Sequence, residues 1–119
     1  LTQYVMAADR MSSDLAALTD PWQPAVLRLI RAVAEAAGRS PDGRTIPVGV
    51  CGEAAADPNL ACVLLGLGVG SLSVATAALP FVGAALAGVT LEQCRELAAL
   101  ALDSDTALDA RDAVLAARN

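Results

Sequence analysis

Cys51 is the residue of this chain best placed to do chemistry. It sits in Gly49-Val50-Cys51-Gly52-Glu53, at the end of an apolar run that begins at Ile46. A strand over 46–50 would hold the cysteine at its carboxyl end, where α/β proteins present reactive side chains to a ligand. Gly49 and Gly52 remove bulk that would keep a substrate from the thiol. The competing reading is a small buried apolar thiol, the common fate of a free cysteine. Arg10, after Asp9, is a second candidate: a guanidinium is always charged and grips anion oxygens, although in such a place it is usually just solvated. Glu53 is a metal ligand or, more simply, a carboxylate hydrogen-bonding the loop that positions Cys51. Cys62 and Cys94 lie on helix faces among leucines and alanines and read as packing residues, as does Trp22.

Composition narrows the classes. The 119 residues are 55% apolar, above the usual 45–50%, so apolar surface is expected to meet a partner or a membrane. The mean hydropathy is +0.53. All eight cations are arginines, the formal net charge is −5, and no basic cluster exists, which argues against nucleic acid as a partner. Three cysteines without a histidine or close pairing do not make a zinc site and suggest a reducing, cytoplasmic setting. No signal-peptide pattern opens the chain. Leu1 looks like the middle of a structured element, so the chain reads as part of something longer.

The elements that must position these residues follow from periodicity and caps. Residues 1–10 are helix-compatible but uncapped, and 11–19 read as a loop with a helical turn. Asp20-Pro21-Trp22-Gln23-Pro24 opens a helix, with Asp20 capping free amides. Val26, Leu27, Ile30, Val33, Ala34 and Ala37 form its apolar face, and Gly38 ends it. After the strand over 46–50, Asp57-Pro58 starts a second helix with Leu60, Val63, Leu64 and Leu67 inward, broken by Gly66, Gly68 and Gly70. A second strand is predicted over 72–75, and a helix from Leu79-Pro80 to about Gly88. Thr90 to Gln93 has capping-box spacing and starts a helix to about Leu102. A last helix is expected over 105–117, with Leu108, Leu115 and alanines inward.

The resulting order is α-β-α-β-α-α-α, with a parallel βαβ unit at its centre. Two such strands need neighbours, and these are expected upstream of Leu1. Residues 59–91 carry no charge, yet the glycines and Leu79-Pro80 cut the run too short for a spanning helix, so no membrane insertion is expected.

Leu1-Thr2-Gln3-Tyr4, Ala8-Asp9-Arg10, Asp20-Pro21-Trp22-Gln23-Pro24-Ala25-Val26-Leu27 and Gly49-Val50-Cys51-Gly52-Glu53 together resemble the carboxyl-terminal part of enzyme I of the bacterial phosphoenolpyruvate:sugar phosphotransferase system. The resemblance covers nearly the whole chain. Pyruvate phosphate dikinase and phosphoenolpyruvate synthase share the Gly-Cys-Gly feature and are the near alternatives. A non-catalytic dimerisation or interaction module is the alternative of another class.

The resemblance implies that residues 1–119 are the last portion of a (β/α)8 barrel that binds phosphoenolpyruvate and Mg2+. Cys51 would be the acid that protonates C3 of enolpyruvate, as an ordinary thiol with pKa about 8.5 still holds its proton at neutral pH. Arg10 would bind phosphate, with Gly52 the other substrate-binding position. The phosphoryl group would pass to a histidine on an absent amino-terminal domain and on to HPr, and the barrel domain would form a homodimer. The Gly-Thr-Asn-Asp expected before Leu1 is missing, and with it the metal ligands. Ala75 stands where many members have serine, and the loop 39–44 is longer than usual, on the side away from the site.

Overall fold

In the computed structural model, every residue from 1 to 119 is described except Arg10, Ser12 and Ser40. Among the described residues, seven α-helices and two short strands run in the order α1 (Thr2–Met6), α2 (Pro24–Gly38), β1 (Gly49–Cys51), α3 (Glu53–Ala56), α4 (Pro58–Gly66), β2 (Ser71–Ser73), α5 (Leu79–Ala87), α6 (Leu91–Asp103) and α7 (Ala107–Arg118). A 3-10 stretch, Ser13–Thr19, follows α1, and another, Thr76–Ala78, precedes α5. The sequence-derived order lacks α1 and α3, which are too short to show a periodicity.

The charge-free sequence of α4 makes it the central helix. Leu60, Ala61, Cys62, Val63 and Leu64 are all fully buried, because α3, α5, α6 and α7 surround it. A helix apolar on every side is stable only when enclosed in this way. It closes in a Schellman turn, with Gly68 N–H donating to Leu65 O and Val69 N–H to Leu64 O. Gly68 takes φ +97° there, a conformation that favours glycine. Gly66 lets α6 come so close that an added Cβ would lie 2.0 Å from the Cys94 carbonyl oxygen. Among the described residues no single helix is long and apolar enough to cross a membrane; α5 and its preceding turn meet α6 at 105°.

The two strands pair in parallel, with Gly49 opposite Ser71, Val50 opposite Leu72 and Cys51 opposite Ser73. Val50 and Leu72 pack on the core, which also takes in Trp22, Val26, Leu27 and Ile30. Both strands differ from the expected bounds. Pro47 brings no N–H to a ladder, Ile46 is exposed, and the first strand starts at Gly49 and includes Cys51. The second ends at Ser73, where its three-residue partner runs out.

Three other expectations are corrected. Helix α2 begins at Pro24 rather than Pro21; Asp20 Oδ1 accepts the Trp22 N–H and leaves the helix amides alone. Val33 is 50% exposed, since no described element covers that end of the α2 face. In α7 the inward residues are Ala107, Ala110 and Val114, at helical spacing, which turns Leu108 and Leu115 outward. The cap of α6 is as the spacing predicts, and α7 starts at Ala107, close to the expected 105. Thr90 and Gln93 form a reciprocal capping box, and Thr106 accepts the Asp109 N–H.

Candidate active site

The alternation of β1 and β2 separates their side chains by chemistry. Val50 and Leu72 point to the helices, while Gly49, Cys51, Ser71 and Ser73 are exposed on the other face. The Cys51 thiol is therefore free and accessible, not a packing residue. It lines an open cleft of about 560 Å³ together with Gly52 and Glu53, with Thr2 and Gln3 of α1 on its wall and Val26, Ile30, Leu60 and Leu64 also lining it. An apolar cleft with a few polar groups at its mouth is the usual form of a small-ligand site.

Gly52 turns the chain sharply from strand to helix at φ +83° and ψ −154°, a region reserved for glycine. Its N–H donates to Ser73 O at 3.3 Å, and its carbonyl accepts the Ala55 and Ala56 amides that start α3. A Cβ on Gly52 would meet nothing within 4 Å, so its requirement is backbone conformation, and the space beside it is open. Gly49 has a different reason from the expected one. A Cβ there would lie 2.7 Å from Ser71 Oγ, so its small size serves the approach of the two strands.

Of the other predicted positions, Arg10 lies outside the described residues. Glu53 is exposed, and its carboxylate has no hydrogen bond or ion pair among the described residues, so the loop bond expected of that side chain is not made. Among the described residues no three His, Cys, Asp or Glu side chains converge as a metal site, so they do not fit Mg2+. The resemblance places its ligands outside this segment.

Cys62 and Cys94 are buried, free thiols. Burial pushes both thiols above the ordinary range, with Arg118 nearby opposing it. Arg118 Nη1 donates to Cys62 Sγ at 3.2 Å, Asn59 Oδ1 at 2.8 Å and Pro58 O at 3.3 Å, tying α7 to the start of α4.

Two residues were missed by sequence reasoning. Ser73 faces the same side as Cys51 across one ladder step; its only signal is the polar-apolar-polar alternation Ser71-Leu72-Ser73. Asp57 was read as a helix start alone. Its Oδ1 accepts the Asn59 and Leu60 amides, and its Oδ2 accepts the indole N–H of buried Trp22 at 2.9 Å.

A sheet end that presents a thiol over a cleft suits a protein acting on a small substrate, and comparison with known sequences gives that class. The family described as PEP-utilising enzyme, PEP-binding domain, matches residues 1–91, and the chain belongs to it. Phosphoenolpyruvate-protein phosphotransferase of Streptomyces coelicolor is 54% identical over 116 residues, covering 98% of this chain and 20% of that protein. The protein of the same description from Haloferax volcanii is 44% identical over 106 residues, 89% of this chain and 18% of the other. The multiphosphoryl transfer protein of Xanthomonas campestris is 44% identical over 111 residues, 93% and 13% respectively. The chain thus spans at most about a fifth of the length of these relatives.

Proposed function

We propose that this chain is the carboxyl-terminal part of the phosphoenolpyruvate-binding barrel of a phosphoenolpyruvate-protein phosphotransferase, and that Cys51 is its proton donor. The observation that carries this reading is the exposed thiol at the carboxyl end of β1, over the cleft and beside the open turn at Gly52. The family and the names of the relatives supply the reaction class.

In the proposed reaction the bond from phosphorus to the bridging oxygen of phosphoenolpyruvate breaks as the phosphoryl group passes to a histidine nitrogen elsewhere in the protein. The electron pair stays on that oxygen as an enolate. C3 of the enolate then takes the Sγ proton of Cys51, giving pyruvate and a thiolate that solvent reprotonates. A positioned acid of this kind accelerates such a step by about 100- to 10,000-fold. Arg10 would hold phosphate oxygens with paired hydrogen bonds. Mg2+, bound by carboxylates outside this segment, would neutralise phosphate charge. HPr would receive the phosphoryl group to drive sugar uptake in the cytoplasm, and the whole protein would act as a homodimer.

Cys51→Ala in the intact protein tests the role. Solvent deuterium uptake into the pyruvate methyl group should slow by at least about 100-fold. Uptake at the wild-type rate would overturn the assignment.

A further inference from the structure

Five residues separate Cys51 from Asp57, and their backbone is held at both ends. At the thiol end, Gly52 N–H is bonded to β2. At the other, Asp57 N–H closes α3 on Glu53 O at 3.2 Å. The Asp57 carboxylate then fastens this turn to two distant parts of the chain. Its Oδ2 takes the Trp22 indole N–H at the entrance to α2 and lies 3.7 Å from Arg111 Nη2 of α7. The Arg111 guanidinium also lies over the Trp22 ring, 5.8 Å from its centroid. Trp22 is fully buried, so its N–H needs this acceptor.

We infer that Asp57 is a positioning residue for the Cys51 proton donor, with Trp22 and Arg111 as its anchors. This rests on the reading of Cys51 given above. The argument is geometric: the turn between the thiol and Asp57 is a single helical turn with no slack, so a shift at the carboxylate is passed to the thiol. A misplacement on the order of 1 Å at a reacting group costs about 100-fold in rate. An asparagine at 57 retains one carbonyl oxygen for the Asn59 and Leu60 amides. It sets an amide NH2 against the indole N–H and the guanidinium, so the cap survives and the anchor is lost.

The test uses the intact protein and phosphoenolpyruvate labelled stereospecifically at C3, in deuterated water. Asp57→Asn should lower kcat for pyruvate formation by about 10- to 100-fold with KM nearly unchanged. It should also scramble the methyl configuration, because enolpyruvate that escapes a misplaced thiol is protonated on either face by solvent. Partial unfolding would lower the amount of active protein without scrambling the product. Arg111→Gln, at a half-exposed position, should give a milder loss of about two- to fivefold with partial scrambling, and Arg111→Lys should restore most of it. Should Asp57→Asn fail to fold, stereopure wild-type turnover in Arg111→Gln overturns the inference. If Cys51→Ala loses stereopure turnover while folded Asp57→Asn keeps it at the wild-type rate, the inference alone falls. If Cys51→Ala keeps it, the reading of the thiol falls and takes this inference with it.

Discussion

Cys51 and Ser73 are partners across the parallel ladder, and their side chains share the open face of the sheet. A hydroxyl beside the thiol can steady either the sulfur or the enolate oxygen by a hydrogen bond. Such a bond is worth about 0.5–1.5 kcal/mol net, so Ser73→Ala should lower kcat by about two- to tenfold. Steady-state rates with phosphoenolpyruvate check this, and an unchanged kcat removes the hydroxyl from the reaction. The thiol's place at a strand end was legible in the sequence from the two glycines and the apolar run around it, but that pattern alone suits a buried packing thiol as well, and the family resemblance was what singled it out. Ser73 was not legible, since ladder register depends on which residues of a distant strand come opposite, and three residues of alternation are too few to announce it. Gly49 shows the same limit: its need for small size comes from Ser71, 22 positions away, and only pairing reveals that.

Helices α4 and α6 cross with backbone nearly touching at Gly66. Gly66→Ala would drive a methyl into the Cys94 carbonyl, a rigid group that cannot swing aside, and should cost about 3 kcal/mol. Urea unfolding measures it, and a loss below about 0.5 kcal/mol would show that the helices part easily. The same crossing buries Cys62 and Cys94, whose thiols hold their protons to higher pH in the fold than in the unfolded chain. Above the ordinary thiol range the unfolded state has released protons that the folded state keeps, so the stabilisation is complete below that range and is lost as pH rises through the folded values. The urea midpoint should therefore fall as pH rises above the ordinary thiol value of about 8.5, and Cys62→Ala with Cys94→Ala should flatten the fall. The cap at Thr90 was readable because it is local chemistry. The inward face of α7 was not: alanines at 107 and 110 and Val114 are buried against α4 and α6 while Leu108 and Leu115 turn outward, and side-chain size alone pointed the other way.

For the whole molecule, the charge-free run 59–91 could have been a membrane segment or an enclosed core; the glycine-rich break after α4 leaves no single described helix long and apolar enough to cross a membrane, and within the run α4 is enclosed while α5 buries Val82 alone. What the sequence could not convey is how much apolar surface stays uncovered. Leu1 is 60% exposed, Tyr4 92% and Phe81 68%, and among the described residues β1 and β2 each pair on one side only. The 119-residue chain alone should self-associate as concentration rises, as seen by light scattering, and should transfer no phosphoryl group from labelled phosphoenolpyruvate, having no histidine to accept it. A strictly monomeric chain, or one that becomes labelled, would contradict this. The ties from Arg118 back to Pro58 span 60 residues. On a ribosome moving at about 5–20 residues per second, the first turn of α4 would thus wait some 3–12 s after its own synthesis for its partner in α7. During that interval the Cys62 sulfur lacks its guanidinium partner, which arrives only when α7 docks.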